Sequence, residues 1–373
     1  MSADLEIQLI AVLVSVACAL PGVFLVLRQM SMMSDSITHT ILLGIVLAFF
    51  ITHDLNSPFL IIGAAMMGVI TVWLTETLTK TKLLSEDSAI GVVFPLLFSI
   101  AIILITRYAG SVHLDTDSVL LGELAFAPFD RMIISGRDIG AKSIYTSAVL
   151  LLVNITLISV FFKELKIASF DPLLAAVLGF SPTIIHYGLM TLVSLTAVGA
   201  FEAVGSVLVV AFMIGPPITA YLLTDSLKIM LFLSIIFGAL SGILGYHLAY
   251  LLDVSIAGSM AVMTGVIFGA VFIFSPKRGL IGVLTRQTRN RKEYAQTTLL
   301  LHVCNHQDGP IAREENGITS IAEHLHWDQK KLEKTVYYLL RNERIILQNG
   351  LIIATPLGFK NVEEAKIRLF GEV

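Results

Sequence analysis

A chain of 373 residues that is 55% hydrophobic and only 14% charged, with a mean hydropathy of +0.83, is too apolar for a water-soluble fold of that length. The formal net charge of −3 is unevenly spread: 10 Lys+Arg stand against 17 Asp+Glu before Pro276, and 15 against 11 from there on. A polytopic membrane part and a more basic, polar tail are expected, and the two distant cysteines, Cys18 and Cys304, exclude a disulfide framework.

The opening "MSADLEIQL" is acidic where a cleavable signal would be basic, so the first apolar run is read as the first membrane pass. A bilayer core needs about 20 apolar residues per helix. Runs near that length fall at 7–27, 37–52, 58–78, 88–106, 144–162, 182–200, 203–224, 227–251 and 255–274. That makes nine transmembrane helices, or eight if the short second run or one of the nearly continuous sixth and seventh is re-entrant. The fold class is therefore an all-α polytopic membrane domain, residues 1–275. Arg28, Lys80, Lys82, Lys163, Lys166, Lys277 and Arg278 follow odd-numbered runs. Basic loops stay inside, so the N-terminus is expected outside and the C-terminal part in the cytoplasm. Arg107, Arg131, Arg137 and Lys142 break that pattern in one long outer loop, which also carries acids.

"SMMSDSITHTILLGIVLAFF" places Asp35 and His39 four residues apart at the head of an apolar run. On a helix they share a face, and a carboxylate with an imidazole is a donor pair suited to Mn, Zn or Fe. An interfacial Asp cap with a histidine satisfied by a carbonyl is the other reading. Glu202, in "AVGAFEAVGSVLVVAF", either lines the outer end of a pathway or sits in a short outer turn. His113, Asp115, Asp117 and Glu123 form an outer cluster that could attract cations or a partner, or be a solvated loop.

In "ELKIASFDPLLAAVLGFSP", Asp171 is an N-cap, Pro172 the first helical residue and Gly179 the stop of a short apolar helix. Such a helix between two passes suits docking, or packing on the membrane surface.

A linker is expected at 276–292. Beyond it "KEYAQTTLLLHVCNH" reads as an amphipathic helix, and "GITSIAEHLHWDQKKLEKTVYYLLRNERII" as two more around Trp327-Asp328. A hairpin follows at Asn349-Gly350, and a last helix covers 361–370. Three helices and a hairpin make a small α+β winged-helix domain, 293–373. His302 and His306 share a helical face beside Cys304, as metal ligands or as ordinary packing. Lys330, Lys331, Lys334 and Arg341 are candidates for phosphate contacts, against a surface of mixed charge. No GxxxxGK[ST], HExxH or GxSxG occurs, so neither ATP hydrolysis nor proteolysis is expected of this chain.

"GVFLVLRQMSMMSDSITHTILLGIVLAF", "SEDSAIGVVFPLLFSIAIIL", "VHLDTDSVLLGEL", "FDPLLAAVLGF" and "VGSVLVVAFMIGPPITAYLL", in that order, resemble the membrane permeases of manganese, zinc and iron ABC importers over about residues 7–275. The resemblance implies a type II importer fold in a bacterial cytoplasmic membrane. Its partners would be a second permease chain, identical or homologous, an ATP-binding subunit, and an external metal-binding lipoprotein or periplasmic protein. It implies no permanently bound cofactor, only a transported divalent metal. By position, Asp35 and His39 match the family's D-x-x-x-H pathway pair. The segment with Asp171, Pro172, Ala175, Leu178 and Gly179 matches the helix that docks in the ATPase, and Ser85, Glu86 and Asp87 match another inner loop near it. Glu202 matches more loosely. The tail resembles the winged-helix domain of iron- and manganese-dependent repressors, which leaves DNA as a partner to consider. The alternative function is a membrane-tethered, metal-responsive transcription regulator.

Overall fold

The computed structural model describes residues 2–54, 57–108, 124–134, 137–276, 278–307 and 312–370. Its contacts divide the chain into two units, Met1–Gly279 and Leu280–Val373. Among the described residues, nine helical segments are long and apolar enough to cross a membrane.

The first unit is built from α1 (Ala3–Leu27), α2 (Ser31–Thr52), α3 (Phe59–Lys80) and α4 (Glu86–Tyr108), a short β-hairpin β1 (Arg131–Ile134) and β2 (Arg137–Ala141), then α5 (Lys142–Val160), α6 (Phe162–Phe170), α7 (Pro172–Val177), α8 (Pro182–Tyr221), α9 (Leu227–Leu252) and α10 (Ile256–Phe274). α1 is central: Ile10, Ala11, Cys18, Val23, Phe24 and Leu25 are fully buried, which explains why its sequence is apolar all round. In lipid, helices gain by close approach rather than by hydrophobic exclusion. Gly22 is such an approach, since a Cβ there would stand 1.8 Å from the carbonyl oxygen of Met213 on α8. Gly44 of α2 does the same against the backbone of Gly63 on α3.

The sixth and seventh apolar runs form the single element α8, interrupted at Gly205, where φ is 78° and ψ 166°. Forty helical residues would extend about 60 Å, twice a bilayer core of about 30 Å. The positive-φ glycine breaks the run, and two stretches of it, Pro182–Phe201 and Ala203–Tyr221, are each long and apolar enough to cross a membrane. The second run also begins six residues earlier than read: α2 starts at Ser31, which brings Asp35 and His39 wholly inside a helix.

One of the basic residues that broke the charge pattern, Arg131, has buried and exposed acidic partners. Nη1 of Arg131 lies 2.8 Å from Oε2 of the buried Glu6, and its Nε lies 2.8 Å from Oδ2 of Asp138. Hydrogen bonding to Arg131 holds the Asp138 carboxyl below its ordinary range. Arg131 thus serves as a clamp between α1 and the hairpin.

The second unit comprises α11 (Leu280–His306), α12 (Ala312–Glu315), α13 (Ile318–His324), α14 (Gln329–Arg341), the antiparallel strands β3 (Ile345–Gln348) and β4 (Leu351–Ala354), and α15 (Pro356–Phe370). Its own core gathers Leu299, Val303, Ile321, Leu332, Leu339, Ile345 and Ile352. α14 buries Leu332, Thr335, Val336 and Leu339, the i, i+3, i+4, i+7 spacing of one face. Asn349 and Gly350, with φ of 50° and 80°, form the two-residue turn. Two expectations shift. Most of the segment read as a linker, 276–292, is helix from Leu280 onward: "LIGVLTRQTRNRKEY" has no proline and a single glycine, Gly282, in its first turn. The last helix starts at Pro356 rather than 361, with the proline in its first turn.

Candidate functional site

On α2, Ser34, Ser36, Ile37, Thr38, Thr40 and Ile41 are buried against neighbouring helices. Asp35 and His39 lie on the stripe those helices leave accessible, with side chains 42% and 22% exposed. Their facing atoms, Oδ1 of Asp35 and Nε2 of His39, are 3.4 Å apart. Two donors at 2.0–2.2 Å from one divalent ion stand about 3.0–3.5 Å apart, so the pair already has the bite of a chelate. The imidazole is held by Phe94 and Phe98 of α4, at ring-centroid distances of 5.1 and 5.7 Å. Those rings fix its plane and exclude water from one side. Nδ1 of His39 is buried and has no hydrogen-bond partner among the described residues, so the carbonyl-satisfied reading of this histidine does not hold there. Ser34 anchors the same turn to α8 through a hydrogen bond to Sδ of Met213, 3.1 Å. Two ligands from one chain, on an open face, can hold a cation without enclosing it.

The short helix α7 is built as its sequence demands. Asp171 accepts from the N–H of Leu174 at 2.9 Å and Pro172 occupies the first turn. At the other end the N–H of Phe180 donates to the Ala175 carbonyl (3.0 Å) and that of Gly179, at φ 87°, to Ala176 (3.1 Å). Ala175 is fully buried and seats the helix, whereas Leu173 and Val177 are 81% and 83% exposed, with Leu178 beside them. The exposed apolar face of α7 therefore includes Leu173, Val177 and Leu178, and the first two were not singled out from the sequence. Ser85 opens α4: its Oγ accepts from the N–H of Ser88 and lies 2.8 Å from that residue's hydroxyl.

Sequence reasoning also missed a polar knot that joins this region to the bundle. Glu76 of α3 accepts from the Tyr187 hydroxyl (2.8 Å), lies 3.2 Å from Nζ of Lys80, and its Oε1 lies 2.6 Å from Nε2 of His186, out of line for a hydrogen bond. Nη1 of Arg28 donates to Nδ1 of His186 at 3.3 Å, which leaves the Nε2 proton facing Glu76. Nε of Arg28 reaches Ser169 Oγ on α6, the helix preceding α7, at 3.0 Å. Burial lowers the Arg28 pKa, and its Nη2 has no hydrogen-bond partner among the described residues. The knot ties α6 to α1, α3 and α8. Glu76→Gln keeps the shape and removes the charge that several cationic or proton-bearing groups share. The expected loss is about 1–3 kcal/mol of stability, read as a lower unfolding temperature of the purified chain.

Other candidates fall out differently. The backbone at Glu202 is helical, three residues before the Gly205 break, while its side chain is outside the described set. His113, Asp115, Asp117 and Glu123 also lie outside the described residues. Lys330, Lys331 and Lys334 line a groove with Arg291 and Lys292 of α11; Lys331 stacks on Trp327 (4.2 Å) and Lys292 on Tyr338 (5.8 Å). Arg341 stands in the last turn of α14 and does not line it. Cys304 packs toward the core of its unit, and burial raises its thiol pKa.

Residues 5–275 match the family model described as the ABC 3 transport family. The chain belongs to that family. It is 44% identical over 354 residues to the zinc transport system membrane protein TroD of Treponema pallidum, covering 95% of this chain and 96% of that one. It is 48% identical over 295 residues to the manganese transport system membrane protein MntD of Bacillus subtilis, covering 79% of this chain and the whole of the relative. Among solved structures, PsaBC from Streptococcus pneumoniae in complex with Fab is similar at a TM-score of 0.62 and 31% identity, covering 74% of this chain and 94% of that chain. The chain is thus an ABC transporter permease, a membrane subunit of a family whose members are not themselves enzymes. These matches lend no support to the tethered-regulator reading or to the winged-helix reading of the tail.

Proposed function

We propose that this permease carries divalent transition-metal ions (Mn, Zn or Fe) inward across a bacterial cytoplasmic membrane by alternating access, driven by a separate ATP-binding subunit. The observation that carries the reading is the 3.4 Å carboxylate–imidazole pair, Asp35 and His39, on the uncovered face of α2. A hard oxygen and a borderline nitrogen suit these ions and discriminate against Mg and Ca. The relatives named for zinc and manganese point to the same class of cargo.

A second permease chain, identical or homologous, covers the open face and supplies further ligands. An external metal-binding protein delivers the ion at the N-terminal side, and α7 faces the ATPase in the cytoplasm, at the end of the bundle that also carries Arg28 and Lys80. Glu202, beside the Gly205 break, remains a candidate at the outer end of the path. The tail is assigned as a cytoplasmic regulatory module with the helix, hairpin and helix order of a winged helix. Its basic groove suits a polyanion such as DNA, or an acidic segment.

The test is reconstitution of the permease with its ATPase in liposomes. ATP-dependent uptake of Mn, Zn or Fe(II) is expected and none of Mg; uptake without ATP, or of no transition metal, overturns the reading.

A further inference from the structure

The C-terminal unit gathers three potential ligands that no part of the transport reading uses. His302 lies near the end of α11, Glu315 closes α12 and His324 closes α13. Nδ1 of His324 is 2.7 Å from Oε2 of Glu315, and Nε2 of His302 is 3.8 Å from the same oxygen. One donor atom from each of the three lies within 4.8 Å of the other two. We propose that His302, Glu315 and His324 form a divalent transition-metal site in the C-terminal unit, separate from the Asp35–His39 pair.

Donors on a tetrahedral ion at 2.0–2.2 Å stand about 3.3–3.6 Å apart. The separations of 2.7 and 3.8 Å straddle that spacing, so rotamer adjustments of a few tenths of an ångström to about an ångström bring both imidazoles and the carboxylate onto one ion. Nε2 of His302 also lies 3.1 Å from the backbone carbonyl oxygen of Glu315. Bearing a proton, it donates there, and an arriving cation takes that proton's place between the same nitrogen and oxygens.

The surroundings hold the three elements in register. The buried Asn316, next to Glu315, donates from its side chain to the Val303 carbonyl (3.3 Å), and its own carbonyl accepts from the N–H of Ile352 on β4 (3.0 Å). Cys304 points toward the hydrophobic core, so the thiol is not part of the set. His306 adds a further imidazole one helical turn on, its ring centroid 4.8 Å from that of His302. Side-chain exposure rises from 12% at His302 through 25% at Glu315 to 40% at His324, which leaves an entrance from solvent. A simple ion pair accounts for His324 on Glu315. The carbonyl hydrogen bond places His302, and it brings the second imidazole to within 3.8 Å of the same carboxylate oxygen.

Two nitrogens and one oxygen select zinc, iron(II), cobalt or nickel over magnesium and calcium. On the transport reading, such a site would register the imported ion in the compartment that receives it; the binding itself does not depend on that reading.

The test uses the purified full chain carrying Asp35→Ala, which removes the other pair, with Co(II) as the probe. Binding is followed by the visible absorption of the bound ion and by elemental analysis after dialysis. One Co(II) per chain is expected, weakened by at least about tenfold in His324→Ala and in Glu315→Gln. Absence of binding in the Asp35→Ala chain, or equal affinity in both further variants, overturns the proposal. If His324→Ala does not fold, Glu315→Gln, which keeps the side-chain shape, decides the matter alone. Failure of ATP-driven uptake in liposomes would leave this binding result unchanged.

Discussion

Asp35→Ala and His39→Ala are each expected to cut transition-metal accumulation by about 10–100-fold, in cells carrying the intact transporter operon and with equal membrane abundance of the permease. Elemental analysis of washed cells makes the measurement. The size follows from the chemistry: with two ligands from this chain, removal of either leaves one, and a single carboxylate or imidazole competes poorly with water for the ion. Abundance should hold because both side chains sit on the accessible stripe of α2, while the residues that seat the helix lie between them. His39 also packs on Phe94 and Phe98, so His39→Gln, which retains some of that contact, serves as the second variant. If one metal's uptake collapses in all three, that metal is the cargo. If uptake of every metal is unchanged, the pair is structural and the pathway runs elsewhere.

How far this site could be read from the sequence depended on how local its signals are. Asp35 and His39 stand out because two ionisable groups in an apolar run are costly unless they face a cavity or path, and their spacing of four is visible on the page. The ends of α7 are equally legible: a capping aspartate, a first-turn proline and a left-handed glycine act within three residues of where they stand. The face of α7 was not, since exposure of Leu173 and Val177 against burial of Ala175 depends on how α7 packs against α6 and α8. The Glu76 knot was invisible for a related reason. Its partners Arg28, Ser169, His186 and Tyr187 come from three other helices, and each alone is an ordinary polar residue at a helix end. Gly205 was one glycine among several until its dihedrals set it apart. In the tail, the sequence paired His302 with His306, one turn apart; the fold brings Glu315 and His324 to the same imidazole from two other elements.

The second large effect is expected at α7. Leu173→Asp and Val177→Asp should abolish co-purification of the ATP-binding subunit and, with it, uptake. The exposed apolar face of α7 is small, so its docking energy is concentrated in few side chains. Burying one Leu or Val contributes about 1.5–3 kcal/mol, and each 1.4 kcal/mol is about tenfold in affinity. Losing one such side chain therefore weakens the complex by about 10–100-fold, and an aspartate adds the cost of burying an unpaired charge. The isolated permease should melt at an unchanged temperature, because these side chains are exposed in the chain itself. Metal binding at Asp35 and His39 should also persist, since it is set by α2 and α4. That separation, binding kept and coupling lost, is the pattern a docking helix produces. If α7 merely lay on the lipid surface, the aspartates would leave the ATPase attached, and its co-purification from wild-type and variant membranes distinguishes the two.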